Sequence, residues 1–280
     1  MVMMYRILTA SSLTLALYFN GFGQSLEHWS YEREAIFHRK EIKHRSIEER
    51  DVKYHKRVDR IIDFREKKNV VMKWPKNPYA KMLLDAANKG PNREGGIPVY
   101  RSDSLDQAKP LQPTEVKELG VREIVINTVD PFGDVIDTVI QAFVTYEDIK
   151  KIRIMEDWIF DAAYGDFRPR IVAIAPIYEM KTSTNVSLGD SELFWVKYED
   201  LRSLHARSDV FNPFNDAARL TYDEWFEMRH FSSYIVHESN VWDLDIKHQP
   251  EFQDNPLAAR LDSERIKNDL FITEHDNWEY

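Results

Sequence analysis

The sequence predicts an α+β protein: a mixed or antiparallel sheet with flanking helices, a basic helical arm at the N-terminal end and a helix at the C-terminal end. Three observations carry that prediction. Strand-like and helix-like stretches interleave irregularly, without the strict βαβ order of a parallel sheet. Residues 171–178 are almost continuously apolar, as expected of a central strand covered on both faces. After Pro256, Leu257 with Leu261 and Ile266 with Leu270 recur at helical spacing.

In chain order, a short stretch ending at Arg6 is followed by an apolar run over 7–19 and by Gly21 and Gly23, the pattern of a secretory signal peptide over 1–23. That run is shorter than the roughly 20 apolar residues of a membrane span. Residues 24–76 form the basic, partly helical arm and 77–280 the acidic body. Between Glu32 and Lys76 there are 15 Lys and Arg against 9 Asp and Glu; from Asn77 to the end there are 22 against 37. Ser46 and Glu49 suggest a capping box, and Val58, Ile61, Ile62 and Arg65 fall at helical intervals, so a helix is expected over 46–68. Its apolar stripe is thin, and it must lie on something.

Residues 70–74 read as extended and stop at Pro75; a helix over 78–89 ends at the Gly90-Pro91 breaker, and 90–96 is a loop. Residues 121–128 alternate as a strand, 130–133 mark a turn and 138–145 continue extended. Residues 193–198 form another strand with Phe194 and Trp195 on opposite faces. Residues 199–206 and 221–231 read as helices, the second opening on a Thr221 and Glu224 capping box.

The 43% hydrophobic and 12% aromatic content suits a globular protein with a buried core. There are no cysteines, which excludes disulfides, a thiolate nucleophile, cysteine-bound zinc and an acylated cysteine. No catalytic residues, cofactor or metal ligands are expected. His237-Glu238 opens like a zinc-protease motif, but Val241 stands where the second histidine belongs. The loop at Gly95 and Gly96 lacks the Lys and Ser/Thr of a phosphate-binding loop. Asp243, Asp245 and His248 do not match a calcium-loop spacing and read as a solvated turn. Asp103-Ser104-Leu105 resembles a short acceptor pattern for O-linked sugars. A hydrolase built on a carboxylate pair, or a ligand-binding module, stands as the alternative reading.

The basic segment fits neither nucleic acid, given export, nor lipid, given its weak apolar face, so membrane contact would be indirect. Its counterpart is an acidic protein surface, on its own body or on a neighbouring copy. Lys53, Lys56, Arg57, Arg60 and Arg65 are the candidate partner-binding residues, and reversal of the first four to Glu is expected to leave the body folded while weakening assembly. Trp158, Phe160, Trp195, Phe211, Phe214, Tyr222, Trp225, Phe231 and Tyr234 are expected mostly in the core, and Asn212, Asn215 and Asp216 as turn and cap residues.

A series of blocks in the second half carries a resemblance. They are Glu156-Asp157-Trp158-Ile159-Phe160-Asp161, Pro169-Arg170-Ile171, Ile174-Ala175-Pro176, Leu193-Phe194-Trp195, Phe211-Asn212-Pro213-Phe214-Asn215-Asp216-Ala217, Thr221-Tyr222-Asp223, Phe231-Ser232-Ser233-Tyr234-Ile235-Val236, Glu238-Ser239-Asn240-Val241, Ser263-Glu264-Arg265-Ile266-Lys267 and Glu274-His275-Asp276. With Asp51-Val52 and Arg65-Glu66-Lys67, their order and spacing resemble the GldN/PorN family of the type IX secretion and gliding machinery. The resemblance implies a periplasmic, non-enzymatic protein associated with the outer membrane through a partner. That partner would be a GldK/PorK-like lipoprotein, with which it forms a ring of neighbouring copies that meets the shaft of a GldM/PorM-like motor protein.

Overall fold

In a computed structural model, residues 39–103, 105, 109–129, 135–182 and 186–276 are described, the side chains of 122–139 excepted. The signal peptide expected over 1–23, the first part of the arm and the turn at 130–133 lie outside those residues. The described residues fall in one compact unit.

The core of the fold is a strongly bent antiparallel sheet in the order β10-β1-β4-β5-β6, where β1 is Val52–Asp63, β4 Ile149–Asp161, β5 Asp166–Lys181, β6 Ser187–Glu192 and β10 Tyr234–Glu238. A short β7, Val196–Lys197, also pairs with β5. Strands β2 (Arg122–Val129) and β3 (Val135–Ala142) form a separate hairpin, and β8 (Asp209–Val210) pairs with β9 (Leu220–Thr221). The helices are α1 (Tyr79–Lys89), α2 (Pro113–Glu118), α3 (Tyr198–Ala206), α4 (Tyr222–Glu227) and α5 (Pro256–Asp276). The α+β class is as expected.

The helix expected over 46–68 does not form. Val52–Asp63 is a strand, hydrogen-bonded to β4 along nearly its whole length and to β10 on its other side. The same residues carry a two-residue period: Tyr54, Val58 and Ile62 face the cores, and Asp59 and Asp63 point to the other face. Val58, Ile61 and Ile62 satisfy helical spacing by coincidence, and their branched side chains fit a pleated sheet better than a lone charged helix. Likewise residues 70–73 form a 3-10 turn and not an extended run, with Met72 buried inside it.

One face of the sheet carries two cores in series. The larger joins Ile62, Ile152, Ile154, Ile174 and Phe194 to α1, α3 and α4 through Leu83, Leu201 and Phe226. The smaller joins Val58, Trp158, Phe167 and Ile235 to Ile266 and Leu270 of α5. Each fully buried aliphatic or aromatic side chain contributes about 1.5–3 kcal/mol. A third, smaller cluster of Tyr100, Met155, Ala173, Ala175 and Trp195 sits on the reverse face. Phe194 and Trp195 thus fall on opposite faces as expected, and residues 173–177 are buried in succession.

Local chemistry sets the boundaries. At the end of α1, Gly90 adopts φ 71° and its N–H bonds Ala86 O and Ala87 O; a Cβ there would stand 2.7 Å from Pro113. The capping box of α4 forms, Thr221 N donating to Glu224 Oε2 at 2.8 Å and Glu224 N to Thr221 Oγ1 at 3.3 Å. That helix stops earlier than the expected 221–231, because Arg229 turns into the left-handed region at φ 52°. Its guanidinium is thereby aimed at the sheet.

Candidate interaction surface

The five candidate basic residues lie along or just beyond β1, and the alternation of the strand sends them apart. Lys53 is exposed and its Nζ reaches the Arg50 carbonyl at 3.4 Å. Lys56 Nζ is 3.4 Å from Glu238. Arg57 grips Asp157 with two bonds, Nε to Oδ1 at 2.7 Å and Nη2 to Oδ2 at 2.9 Å. Arg65 forks onto Asp63, with Nε 2.9 Å from Oδ1. Arg60 is buried, its Nε 3.1 Å from Glu156 Oε2. Four of the five charges that look like one basic patch in sequence are therefore distributed over separate ion pairs with carboxylates of this same chain, and Lys53 alone of the five meets a backbone carbonyl instead.

Glu156 is the centre of the tightest of these clusters. It is 0% exposed, accepts from Arg229 Nη1 and Nη2 at 2.9 and 3.1 Å and from Trp158 Nε1 at 3.2 Å, and faces Arg60. Both guanidinium groups also stand over the Trp158 ring, at 5.3 and 5.5 Å. Register shifts at Asp59/Arg60 and Met155/Glu156 bend the sheet beside this pair. Burial pushes the Arg60 pKa down, opposed by the Glu156 charge. On the reverse face Arg153 bonds Asp59, Asp245 and Glu192 at 2.7–3.0 Å. Burial raises the Asp59 pKa against the pull of Arg153, while those carboxylates raise that of Arg153 above its usual range despite its burial.

These carboxylates are held by arginines, and their arrangement supports a structural role. Asp245 is taken by Arg153, while Asp243 is exposed beside His237 at 3.5 Å, so the acidic turn does not gather around a cation. No group of three or more potential metal ligands occurs among the described residues.

The surface does carry two loops built by one device. Asn212 Oδ1 accepts the N–H of Phe214 at 3.0 Å while its Nδ2 donates to Ala218 O at 2.8 Å; Asn215 Oδ1 then accepts from Ala217 N at 2.9 Å. Asn240 Oδ1 accepts the N–H of Trp242 at 3.0 Å and of Leu244 at 3.3 Å, and its Nδ2 donates to Glu238 O and Leu244 O at 2.7 and 2.9 Å. Each is an asparagine turn that mimics a backbone turn, and the second also holds Asp243 at φ 51°. The first presents Phe214, 91% exposed; the second presents Val241, 95% exposed, and Trp242, 53% exposed.

Asn212 and Asn215 are turn residues as expected. Of the nine aromatic residues assigned mostly to the core, Trp158, Trp195, Tyr222, Trp225 and Phe231 are buried and Phe160 is half-buried, whereas Phe211 and Tyr234 are exposed and Phe214 projects into solvent. The signal was present in the sequence: Asn, any residue, then an aromatic, at 212–214 and at 240–242. An asparagine bonded to the backbone two residues on turns the following side chain outward.

Helix α5 presents a third apolar surface. Ile266 and Leu270 pack on the sheet and Ser263 Oγ donates to Ile235 O at 2.7 Å, but Leu257, Leu261, Phe271 and Ile272 are exposed on the opposite side. No helix among the described residues is long and apolar enough to cross a membrane.

The sequence model of one protein family, described as Gliding motility associated protein GldN, matches residues 47–279. A comparison with curated proteins found no match.

Proposed function

The chain belongs to the family of the gliding motility associated protein GldN, and from that membership we propose that it is a structural subunit of the type IX secretion and gliding machinery. It acts in the periplasm, without catalysis, by binding other proteins. Its partners are a GldK/PorK-like outer-membrane lipoprotein, neighbouring copies of itself in a ring, and a GldM/PorM-like motor protein. The family match over 47–279 carries this reading. Loops whose backbones are fixed by asparagine hydrogen bonds and that present Phe214, Val241 and Trp242 to solvent support it, because exposed aromatic side chains on a pre-organised backbone are suited to anchor a protein interface. Lys56, Arg57 and Arg60 contribute to such contacts chiefly through the surface they shape, their charges being matched within the chain, whereas the exposed Lys53, which among the described residues meets only a backbone carbonyl, offers its charge to a partner.

The test is size-exclusion chromatography with light scattering on residues 24–280, alone and mixed with the lipoprotein from the same genome. A large stoichiometric complex is expected. A monomer indifferent to the lipoprotein would overturn the reading.

A further inference from the structure

The loop that carries Val241 and Trp242 has a counterpart elsewhere on the same molecule. An open depression of about 370 Å³ has the nearly buried Phe64, Met72 and Ile149 at its floor and the more exposed Pro75, Pro78 and Tyr146 around them, an apolar surround large enough for an indole and a neighbouring aliphatic side chain. Lys73, Glu147 and Lys150 also line it, which leaves one net positive charge at its rim, and Lys150 Nζ stands 4.0 Å from Glu179. The loop brings its own charge, since Asp243 follows Trp242 and its side chain is almost fully exposed. Apolar meets apolar and acid meets base.

The two features lie at different points along β1, the loop beside its middle and the depression just past its last residue. The Asn240 loop departs where Ser239 N donates to Arg57 O at 3.0 Å, whereas the depression begins at Phe64. Seven residues of strand separate those points by about 23 Å of contour, beyond the reach of a side chain. A loop clamped by four hydrogen bonds from one asparagine cannot swing across that gap without losing them.

We propose that the Val241-Trp242 loop of one copy seats in the depression beside Phe64 and Met72 of the next copy, with Asp243 against Lys73 and Lys150. Two different surfaces meet in such a contact, so it propagates from copy to copy and closes into a ring when the rotation allows. The inference deepens the ring-subunit reading and rests on it. Phe214 is the weaker candidate for the same seat: Phe211 of its loop packs against Trp74, which adjoins the depression, at 6.0 Å. A contact through Phe214 would join like ends and stop at a pair.

The native chain has no cysteine, so single thiols report contacts cleanly. Val241→Cys protein is mixed with Lys73→Cys protein, with and without the GldK/PorK-like lipoprotein, and treated with a short thiol-reactive cross-linker. Lys117→Cys, on another exposed part of the surface, serves as the control. Cross-linked pairs are expected for 241 with 73 and not for either variant alone, the double variant should give a ladder of multimers, and Trp242→Ala should lower the yield at least tenfold. Preferential 241 to 241 links, preferential links from Phe214→Cys to Lys73→Cys, or a yield no higher than with the control would overturn the contact. If the lipoprotein complex still forms in that case, the proposed role stands and only the contact is wrong. If the protein ignores the lipoprotein, the proposed role falls, and the arm without lipoprotein decides the contact separately.

Discussion

Reversing the charge of Arg60 separates a surface role for this residue from a structural one. Taken from sequence, Arg60 belongs with Lys53, Lys56 and Arg57 as a residue whose reversal leaves the body folded. In the structure its side chain is 7% exposed and faces a carboxylate that is wholly enclosed. Arg60→Glu removes one partner of a buried pair, which costs about 3–5 kcal/mol. Arg229 keeps its two bonds to Glu156 and holds that loss to the lower part of the range. The new carboxylate adds repulsion of up to about 4 kcal/mol at 4 Å and an effective dielectric near 20, part of it relieved by protonation. A net loss of about 3–6 kcal/mol is expected, comparable with the whole stability of many domains. At roughly 2–4 °C per kcal/mol for a chain of this size, Tm should fall by about 6–24 °C. Arg60→Met, which keeps the packing on Trp158, should cost less, and Lys53→Glu should fall within about 0.5 kcal/mol of the parent. Thermal and urea unfolding followed by circular dichroism measure all three. If Arg60→Glu and Lys53→Glu unfolded at the same temperature, the buried cluster would not be contributing as argued.

Other expectations follow from named contacts. His205 is fully buried, stacks on Phe226 at 5.3 Å and lies 3.2 Å from Tyr79 Oη; burial pushes its pKa down from 6.5 to about 3. Below pH 6.5 the unfolded chain therefore binds a proton that the folded one refuses, so stability falls as pH drops, by about 2 kcal/mol at pH 5, and His205→Phe should remove that part of the pH dependence in urea unfolding. Asn69 is buried and bridges two segments, donating to Asp63 O and Ser232 O at 2.8 Å and accepting from Ser232 N at 2.9 Å. Asn69→Ala should cost about 2–4 kcal/mol by leaving those backbone groups unpaired, with Asn69→Asp no better because it cannot donate. On α5, Leu270→Ala should cost about 2–5 kcal/mol, whereas Leu257→Gln with Leu261→Gln should leave Tm within a few degrees, separating the packed face of the helix from the exposed one.

Much of the fold was legible where one periodic pattern had no rival. The helix at 79–89, its glycine stop, the Thr221 and Glu224 cap and the buried strand at 171–178 all follow from local chemistry. β1 was not legible because its charges sit at positions compatible with two periods, and the partners that decide between them are Asp157, Glu156 and Glu238, far away in the chain. No local rule weighs an arginine against a carboxylate about a hundred residues distant. The leucines of α5 show the converse limit. Two i, i+4 pairs look equivalent in sequence, yet only Ile266 and Leu270 meet the sheet, because Leu257 and Leu261 point away from that face. Phe214 departs from the core expectation for a different reason: aromatic residues are core residues on average, and the bond from Phe214 N to Asn212 Oδ1 that turns this one outward is not visible in composition.

The central place of β1 in the sheet has a kinetic consequence. Arg57 must find Asp157, 100 positions further along, and its carbonyl accepts from Ser239, 182 positions further along. A chain that emerges from its N-terminal end thus presents this strand well before β4 and completes its ladder with β10 after every other strand of the sheet has emerged. Loop-closure entropy has to be met before either ladder forms, which makes folding slow and leaves two strand edges open in the interval. Val52–Asp63 is therefore the segment that a holding chaperone should occupy, and the one at which premature pairing between unfinished chains should begin.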